Sequence, residues 1–310
     1  MAPEAASVVS DSRIKEFLRS LSNILDETLQ YWALAPAVIL LILLTIYPAF
    51  NLLRMAVSEI DFAEGQVVWS FVGLKHVRSL LDDWLFRTAL KNTMIFVVVV
   101  VMAEMILGFA LAAVTSGIST AKGVVRTIMV LPILVPAVAI GSMWRLMYNY
   151  EFGIFNQILA ALGLDAQIWL GSQELAMPSV MAVDIWHWVP FVFLIILAGL
   201  EALPVEVIEA ASVDGATGWQ KLRYIILPLM WPTISVALMF RTIFAFKVFD
   251  EIFLLTSGGP GTATEVVSLY IYKVFFAQYQ LGYGALIAIV TILIICAFIF
   301  TYRFARIGME

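Results

Sequence analysis

Six long apolar runs constrain this chain more than any other feature. The stretches 32–53, 92–116, 127–150, 175–200, 225–256 and 284–302 each reach or approach the roughly 20 residues that a helix needs to cross the hydrocarbon layer of a membrane. At that depth every backbone polar group needs an internal partner, so runs of this kind fold as helices. Composition agrees: 62% of the 310 residues are hydrophobic, 13% are charged and the mean hydropathy is +0.97, which leaves too little polar surface for a water-soluble domain of this size. The expected fold class is an all-α integral membrane protein with six transmembrane helices. The connecting stretches 54–91, 151–174 and 257–283 are too short for cores of their own, so 32–310 reads as one membrane domain.

Residues 1–31 are too polar and too long to be a cleavable signal peptide. Ile14, Phe17, Leu18, Leu21, Ile24 and Leu25 recur at spacings of three and four. They predict an amphipathic helix on the cytoplasmic membrane surface, with packing against a partner subunit as the alternative use of the same stripe. Alternate loops place Arg13, Lys15, Arg19, Lys122, Arg126, Lys221, Arg223, Arg303 and Arg306 on one side, against Arg54, Lys75, Arg78, Arg87, Lys91 and Lys273 on the other. The first set lies in shorter segments near helix ends, so both termini and the loop 201–224 are expected in the cytoplasm. The formal net charge of -5 implies neither nucleic acid nor a polyanion as partner. Cys296 is the single cysteine and lies inside an apolar run, which leaves neither a disulfide framework nor a thiolate metal site and makes it apolar filler.

The loop 201–224 is the longest polar interruption between two spans on that side. Pro204 suits the start of a helix, Glu206 and Glu209 sit where a helix N-terminus favours negative charge, and Gly215 can take the left-handed conformation that ends a helix. A second helix is expected from Thr217. Helix, sharp glycine turn, helix makes a docking handle; the bland alternative is a capped re-entry into the membrane.

Charges inside spans cost about 2.5 kcal/mol or more unless they face protein or water, so each needs an explanation. Glu104, Arg145, Asp184, Arg241, Lys247 and the pair Asp250 with Glu251 are such residues, and His187 joins them as a titratable group. The fourth span gathers Asp184, Trp186, His187, Trp188, Pro190 and Phe191 into eight residues. Aromatic faces beside hydrogen-bonding side chains suit a carbohydrate, and an interfacial aromatic belt is the structural alternative. The fifth span interleaves Phe240, Arg241, Phe244, Phe246, Lys247, Phe249, Asp250 and Glu251, where Lys247 can form an intrahelical ion pair with Asp250 or Glu251. Pro132, Pro136, Pro190, Pro228 and Pro232 bend the spans around a central path.

The loop Glu209-Ala-Ala-Ser-Val-Asp-Gly215, with Ile225-Ile-Leu-Pro228 beyond it, resembles the EAA signature of the membrane subunits of binding-protein-dependent ABC importers. Arg241, the stretch 244–250, then 254–260 with Thr264, together with 131–136 and 71–74, are similar to sugar permeases of the maltose-transporter type, specifically the MalF-like subunit of the maltose, trehalose and glycerol-phosphate group, in its six-span form. The resemblance covers nearly the whole chain. It implies a bacterial inner-membrane importer in which this chain pairs with a second homologous permease, two ATP-binding cassette subunits bind ATP and Mg, and an extracytoplasmic solute-binding lipoprotein delivers a sugar. The chain itself would then be no enzyme and hold no cofactor, and it lacks a G-x-x-x-x-G-K-[ST] phosphate loop.

On the same resemblance Glu209, Ala210, Ala211, Asp214 and Gly215 couple to the ATPase, while Asp184, Trp186, His187, Trp188, Phe191, Phe244, Lys247, Val248 and, less centrally, Asp250 contact solute. Amides that the maltose subunit uses are replaced by Asp184, His187 and Lys247, which admits a different hydroxyl pattern or a phosphate; the aromatic density beside Asp184 favours a neutral di- or oligosaccharide such as trehalose or maltose. A rival from another class is an ion-coupled carrier using Glu104, Asp184, His187 and Asp250, against which stand the 201–224 loop and the lack of an inverted repeat. No nucleophile motif or metal-spaced cluster supports a membrane enzyme.

Overall fold

The computed structural model describes residues 31, 33–63, 66–117 and 121–307. The amphipathic helix expected over 1–31 lies, but for residue 31, outside them. Contacts divide the chain into two units, the first ending at Met55 and the second running from Ala56 to Glu310. All but the last residue of α1 (Ala33–Ala56) belongs to the first, and the helix is apolar and long enough to span a membrane.

The second unit opens with a hairpin, β1 (Ser58–Ala63) paired antiparallel to β2 (Gln66–Phe71), Ser58 opposite Phe71 and Ile60 opposite Trp69. It is the one departure from an all-α chain among the described residues, in a stretch expected only to connect spans. Then come α2 (Lys75–Asp82), α3 (Trp84–Ser116), α4 (Lys122–Leu134), α5 (Ala137–Met147), α6 (Ile154–Ala161), α7 (Ala176–Glu201) and α8 (Val205–Val213). A short α9 (Gly218–Lys221) passes through a π-helical turn, Leu222–Ile226, into α10 (Leu227–Phe246); α11 (Asp250–Leu255), α12 (Val267–Tyr272), a second π-helical turn at Lys273–Ala277 and α13 (Leu281–Ile307) follow.

Five helices are long and apolar enough to cross a membrane, and the bent pair α4 and α5 makes a sixth span if counted as one. The 93° bend has a local cause. Val135 precedes Pro136, whose ring disfavours the helical conformation at the residue before it, and Val135 is extended at φ -79°, ψ 126°. The second span begins at Trp84, not at 92 as the apolar run suggested, because Asp83 caps the helix and the long side chains of Arg87 and Lys91 leave its first turns polar.

Two apolar clusters hold the bundle. One joins Phe96, Val100, Ile140, Val180, Phe246 and Ile252; the other joins Ala112, Val192, Phe193, Ile196, Leu197 and Met230. Between α3 and α7 the approach is close at Gly108, where an added Cβ would lie 2.7 Å from Val192 Cγ1 and 3.1 Å from the Phe193 backbone nitrogen. Small residues permit this proximity in membranes, where packing replaces hydrophobic exclusion.

At the end carrying the hairpin, Asp83 joins three helices. Its Oδ1 accepts from the Leu85 and Phe86 amides at 2.9 and 3.0 Å, and its Oδ2 accepts from the Tyr270 and Tyr283 hydroxyls, both at 2.5 Å. Burial pushes the carboxyl upward, but the two tyrosine hydroxyls and two amides together hold it below the usual carboxylate range. A depressed folded value contributes stability above the unfolded carboxylate range that is lost as pH falls through the folded value, so this end is expected to loosen only below about pH 4. Asp83→Ala removes a helix cap worth about 0.5–2 kcal/mol and orphans two hydroxyls. Its thermal midpoint in detergent should fall at neutral pH, and the difference from the parent should narrow as pH drops below about 4, where the parent's carboxyl is protonated as well; an unchanged midpoint would contradict the role.

Candidate functional site

Charge inside the spans is gathered around one guanidinium. Arg241 on α10, 0% exposed, is bidentate to Glu104 on α3, with the NH2 nitrogen 2.7 Å from Glu104 Oε1 and Nε donating to Oε2, and its NH2 also donates to Asp184 on α7. Glu104 is 0% and Asp184 1% exposed. Three spans are thus tied at one point, and each charge has a partner, as burial in an apolar medium demands. One helical turn along α7 from Asp184, the buried His187 places Nδ1 3.0 Å from Oε1 of the buried Glu251 on α11. Asp184 and His187 were expected to meet solute; the structure commits both to neighbouring helices.

The aromatic residues of α7 separate into two groups. Trp188 lies 5.3 Å from Phe244 and 6.0 Å from Phe191, Phe191 lies 5.8 Å from Phe244, and Phe240 continues the row at 6.2 Å from Phe244. These rings are partly exposed and form a platform across α7 and α10, backed by the Arg241 guanidinium 5.2 Å from the Trp188 ring. Trp186 is not part of it: it meets Trp144 on α5 at 5.5 Å, in a cluster with Tyr148, Phe155 and Trp169. The divergence follows from geometry, since residues two apart on a helix point to nearly opposite sides.

The fifth span breaks after Phe246. Lys247 ends α10 at φ -96°, ψ 8°, Phe249 stands at φ -137°, ψ -55°, and α11 starts at Asp250. The intrahelical ion pair open to Lys247 with Asp250 or Glu251 is absent among the described residues, because the break removes the spacing it needs and Glu251 is taken by His187. Lys247 and Asp250 are exposed, Asp250 in the first turn of α11 where helix polarity favours it. Val248, expected to touch solute, is 5% exposed, packs in the core, and its carbonyl accepts from the Ser268 hydroxyl. Arg145 is exposed in the last turn of α5, a position favourable to positive charge. Among the described residues no group of three or more His, Cys, Asp or Glu side chains is arranged to hold a metal ion.

The loop 201–224 folds as an elbow. α8 follows Pro204, which takes the N-cap rather than the first helical position. Gly215 sits at φ +82°, its amide donates to the Ser212 carbonyl at 3.2 Å, and the Ala216 amide donates to the Ala211 carbonyl at 2.9 Å. Those two bonds around a left-handed glycine make a Schellman cap. Thr217 then begins α9 with a capping box: its hydroxyl accepts from the Gln220 amide at 3.3 Å while Gln220 Oε1 accepts from the Thr217 amide at 2.7 Å. Lys221 Nζ reaches Ser212 Oγ at 2.7 Å and locks the two helices. Ala211 faces inward at 8% exposure, whereas Glu209, Ala210, Asp214 and Gly215 face outward with Val213, 87% exposed. Lys122, at 3.0 Å, and Arg126 both pair with Glu201 at the base of the elbow.

A family model described as "Binding-protein-dependent transport system inner membrane component" matches residues 104–307, which contain the Arg241 network, the platform and the elbow. The chain belongs to this family. The permease is 38% identical over 240 residues, 76% of its own chain and 81% of the relative, to the trehalose/maltose transport system permease protein MalF of Thermococcus litoralis. It is 32% identical over 289 residues, 93% of each chain, to the sulfoquinovosyl glycerol transport system permease protein SmoG of Agrobacterium fabrum. In fold it matches a bacterial ABC transporter involved in the import of the acidic polysaccharide alginate, with a TM-score of 0.79 at 24% identity over 92% of this chain and 98% of that one. The chain is therefore a multi-pass membrane permease component of an ABC importer, and ATP hydrolysis lies in separate subunits.

Proposed function

We propose that this permease is one of two homologous membrane subunits of a type I importer for a sugar handed over by an extracytoplasmic binding protein, with trehalose or maltose as the preferred class of solute. The observation that carries this reading is the rigid elbow, which presents the exposed face of α8 beyond the last turn of α7. Two ATP-binding cassette subunits, holding ATP and Mg, would receive α8 in a groove, with Glu209, Ala210, Asp214 and Val213 as its contact side. Closure of the ATPase pair then moves α8 as a lever on α7 and α10, and the path between them switches sides. The basic loops beside the elbow support a cytoplasmic location for it and for both termini.

Solute would pass the platform of Trp188, Phe191 and Phe244, whose faces suit the C–H faces of a sugar ring, with Lys247 and Asp250 at its rim. Asp184, Trp186, His187 and Val248 are withdrawn from that surface by their partners. A second reading, an anionic solute such as glycerol phosphate, is favoured by one observation: Lys247 is exposed and makes no ion pair among the described residues, while the charge of Asp184 is held by Arg241.

The test is to reconstitute the complex co-expressed with its genomic neighbours and to measure ATP hydrolysis with binding protein loaded with trehalose, maltose or glycerol 3-phosphate. Stimulation by a sugar-loaded binding protein, reduced at least tenfold by Trp188→Ala, is expected. Stimulation by glycerol 3-phosphate alone, lost in Lys247→Gln, would select the second reading. A chain that purifies without an ATPase and moves solute down an ion gradient would overturn both.

A further inference from the structure

The break in the fifth span has no local cause. Helix breaks arise at proline, at glycine, or where another group inserts into the hydrogen-bond ladder, and between Pro232 and Gly258 this chain has neither proline nor glycine. The residues that depart from the helix, Lys247, Val248 and Phe249, are ordinary in a helix or at most mildly unfavourable. Something outside the segment must hold them. Below the break Arg241 is fixed to Asp184; above it Glu251 is fixed to His187; at the break itself the Val248 carbonyl accepts from Ser268.

The spacing shows why those ties and a straight helix are incompatible. α10 runs antiparallel to α7, with Gly199 beside Met230 and Thr233 and Phe191 beside Phe244, so His187 lies about 4.5 Å nearer the elbow than Asp184, whereas on an unbroken helix Glu251 would lie about 15 Å further from it than Arg241, and the two ties run in crossed order. The long reach of Arg241 covers part of the difference, and the break at 247–249 covers the rest. A buried histidine and a buried glutamate, each 7–8% exposed, can be satisfied only while α11 keeps its present place beside α7.

We propose that His187 and Glu251 are positioning residues: their hydrogen bond holds the fifth span broken and thereby sets which way Lys247 faces. The proposal rests on the reading that Lys247 borders the solute path, but its geometric part stands without it. If the tie is lost, α10 runs on through Val248 and Phe249, and Lys247 turns away from the exposed surface it now occupies. Choice of solute would then depend on two residues that never touch it.

The whole complex is used, with Cys296→Ser removing the one native cysteine of this chain, Lys247→Cys or, as a control on the exposed side of α2, Ser79→Cys supplying a single thiol in it, and the complex without either thiol giving the background from the other subunits. The probe is the rate of modification by a charged methanethiosulfonate, which needs no solute and so fails independently of the importer reading. His187→Leu and Glu251→Ala are expected to slow modification at position 247 at least fivefold and to leave position 79 within twofold. His187→Asn, which keeps a donor near the place of Nδ1, and Glu251→Gln, which keeps an acceptor, should restore the parental rate; if His187→Leu or Glu251→Ala does not assemble, His187→Phe, which keeps a ring without a donor, carries the test with the same expected fivefold slowing. Rates at 247 within twofold of the parent in all variants, or equal changes at 247 and 79, would overturn the proposal.

Discussion

Arg241→Met is expected to destabilise the folded permease by about 3–5 kcal/mol, the usual consequence of removing one member of a buried ion network. Glu104 and Asp184, at 0% and 1% exposure, would be left facing each other without a counter-charge. Their burial keeps bulk solvent from them, and the ties from α3 and α7 to α10 would part together. The Trp188 ring would also lose the guanidinium 5.2 Å behind it, so the platform should loosen. Arg241→Lys keeps the charge but not the fork that serves two carboxylates, and should fall between parent and methionine. Adding Glu104→Gln and Asp184→Asn to Arg241→Met should recover much of the loss, because the cost arises from unpaired charge and not from the missing bonds. The yield of monodisperse protein and the thermal midpoint in detergent read this order. Arg241→Met with the parental midpoint would show that the network is not a structural tie.

Features encoded within a single stretch were legible in the sequence. Apolar length gave the spans, and Pro204, Gly215 and Thr217 gave the elbow to within a residue, since helix caps are set by neighbours in sequence. Pairings across the bundle were not legible in the same way. Glu104, Asp184 and Arg241 were each recognisable as charges needing a partner, but which joins which is fixed by helices 57 and 137 residues apart. Two signals were available and pointed to the outcome. Asp184 and His187 stand three apart and share a face, which is the face of the polar ties, while Trp186 and Trp188 stand two apart and cannot share one. That rotation splits the six residues named between Asp184 and Phe191, so they do not form a single surface. The break at Lys247 was the least accessible feature, because nothing in its own residues demands it; the hairpin 58–71 was missed because its short alternating run lies among long apolar ones.

Gly215 offers the sharpest test of the elbow. Its φ of +82° is open to glycine and, at a cost of about 1–2 kcal/mol, to other residues, with asparagine the most tolerant. An added Cβ would meet nothing within 4 Å, so substitution acts on the backbone alone and not through packing. Gly215→Asn should therefore retain most of the stimulated ATP hydrolysis of the complex, and Gly215→Ala should lose part of it. Gly215→Pro is a different case. Its ring locks φ near -65° and removes the amide that donates to the Ser212 carbonyl, so α8 can no longer leave the turn in its present direction. The Lys221 to Ser212 bond across the elbow would part as well. Stimulated turnover should fall at least tenfold, with the ATPase failing to co-purify, while the membrane bundle keeps its thermal midpoint, because α8 buries little against it beyond Ala211. The order Gly, Asn, Ala, Pro in coupling, at constant stability, separates a docking lever from a re-entry loop: a mere connector would show either no effect on hydrolysis or a loss that tracks the midpoint. Parental turnover in the proline variant would remove α8 from the transmission of force.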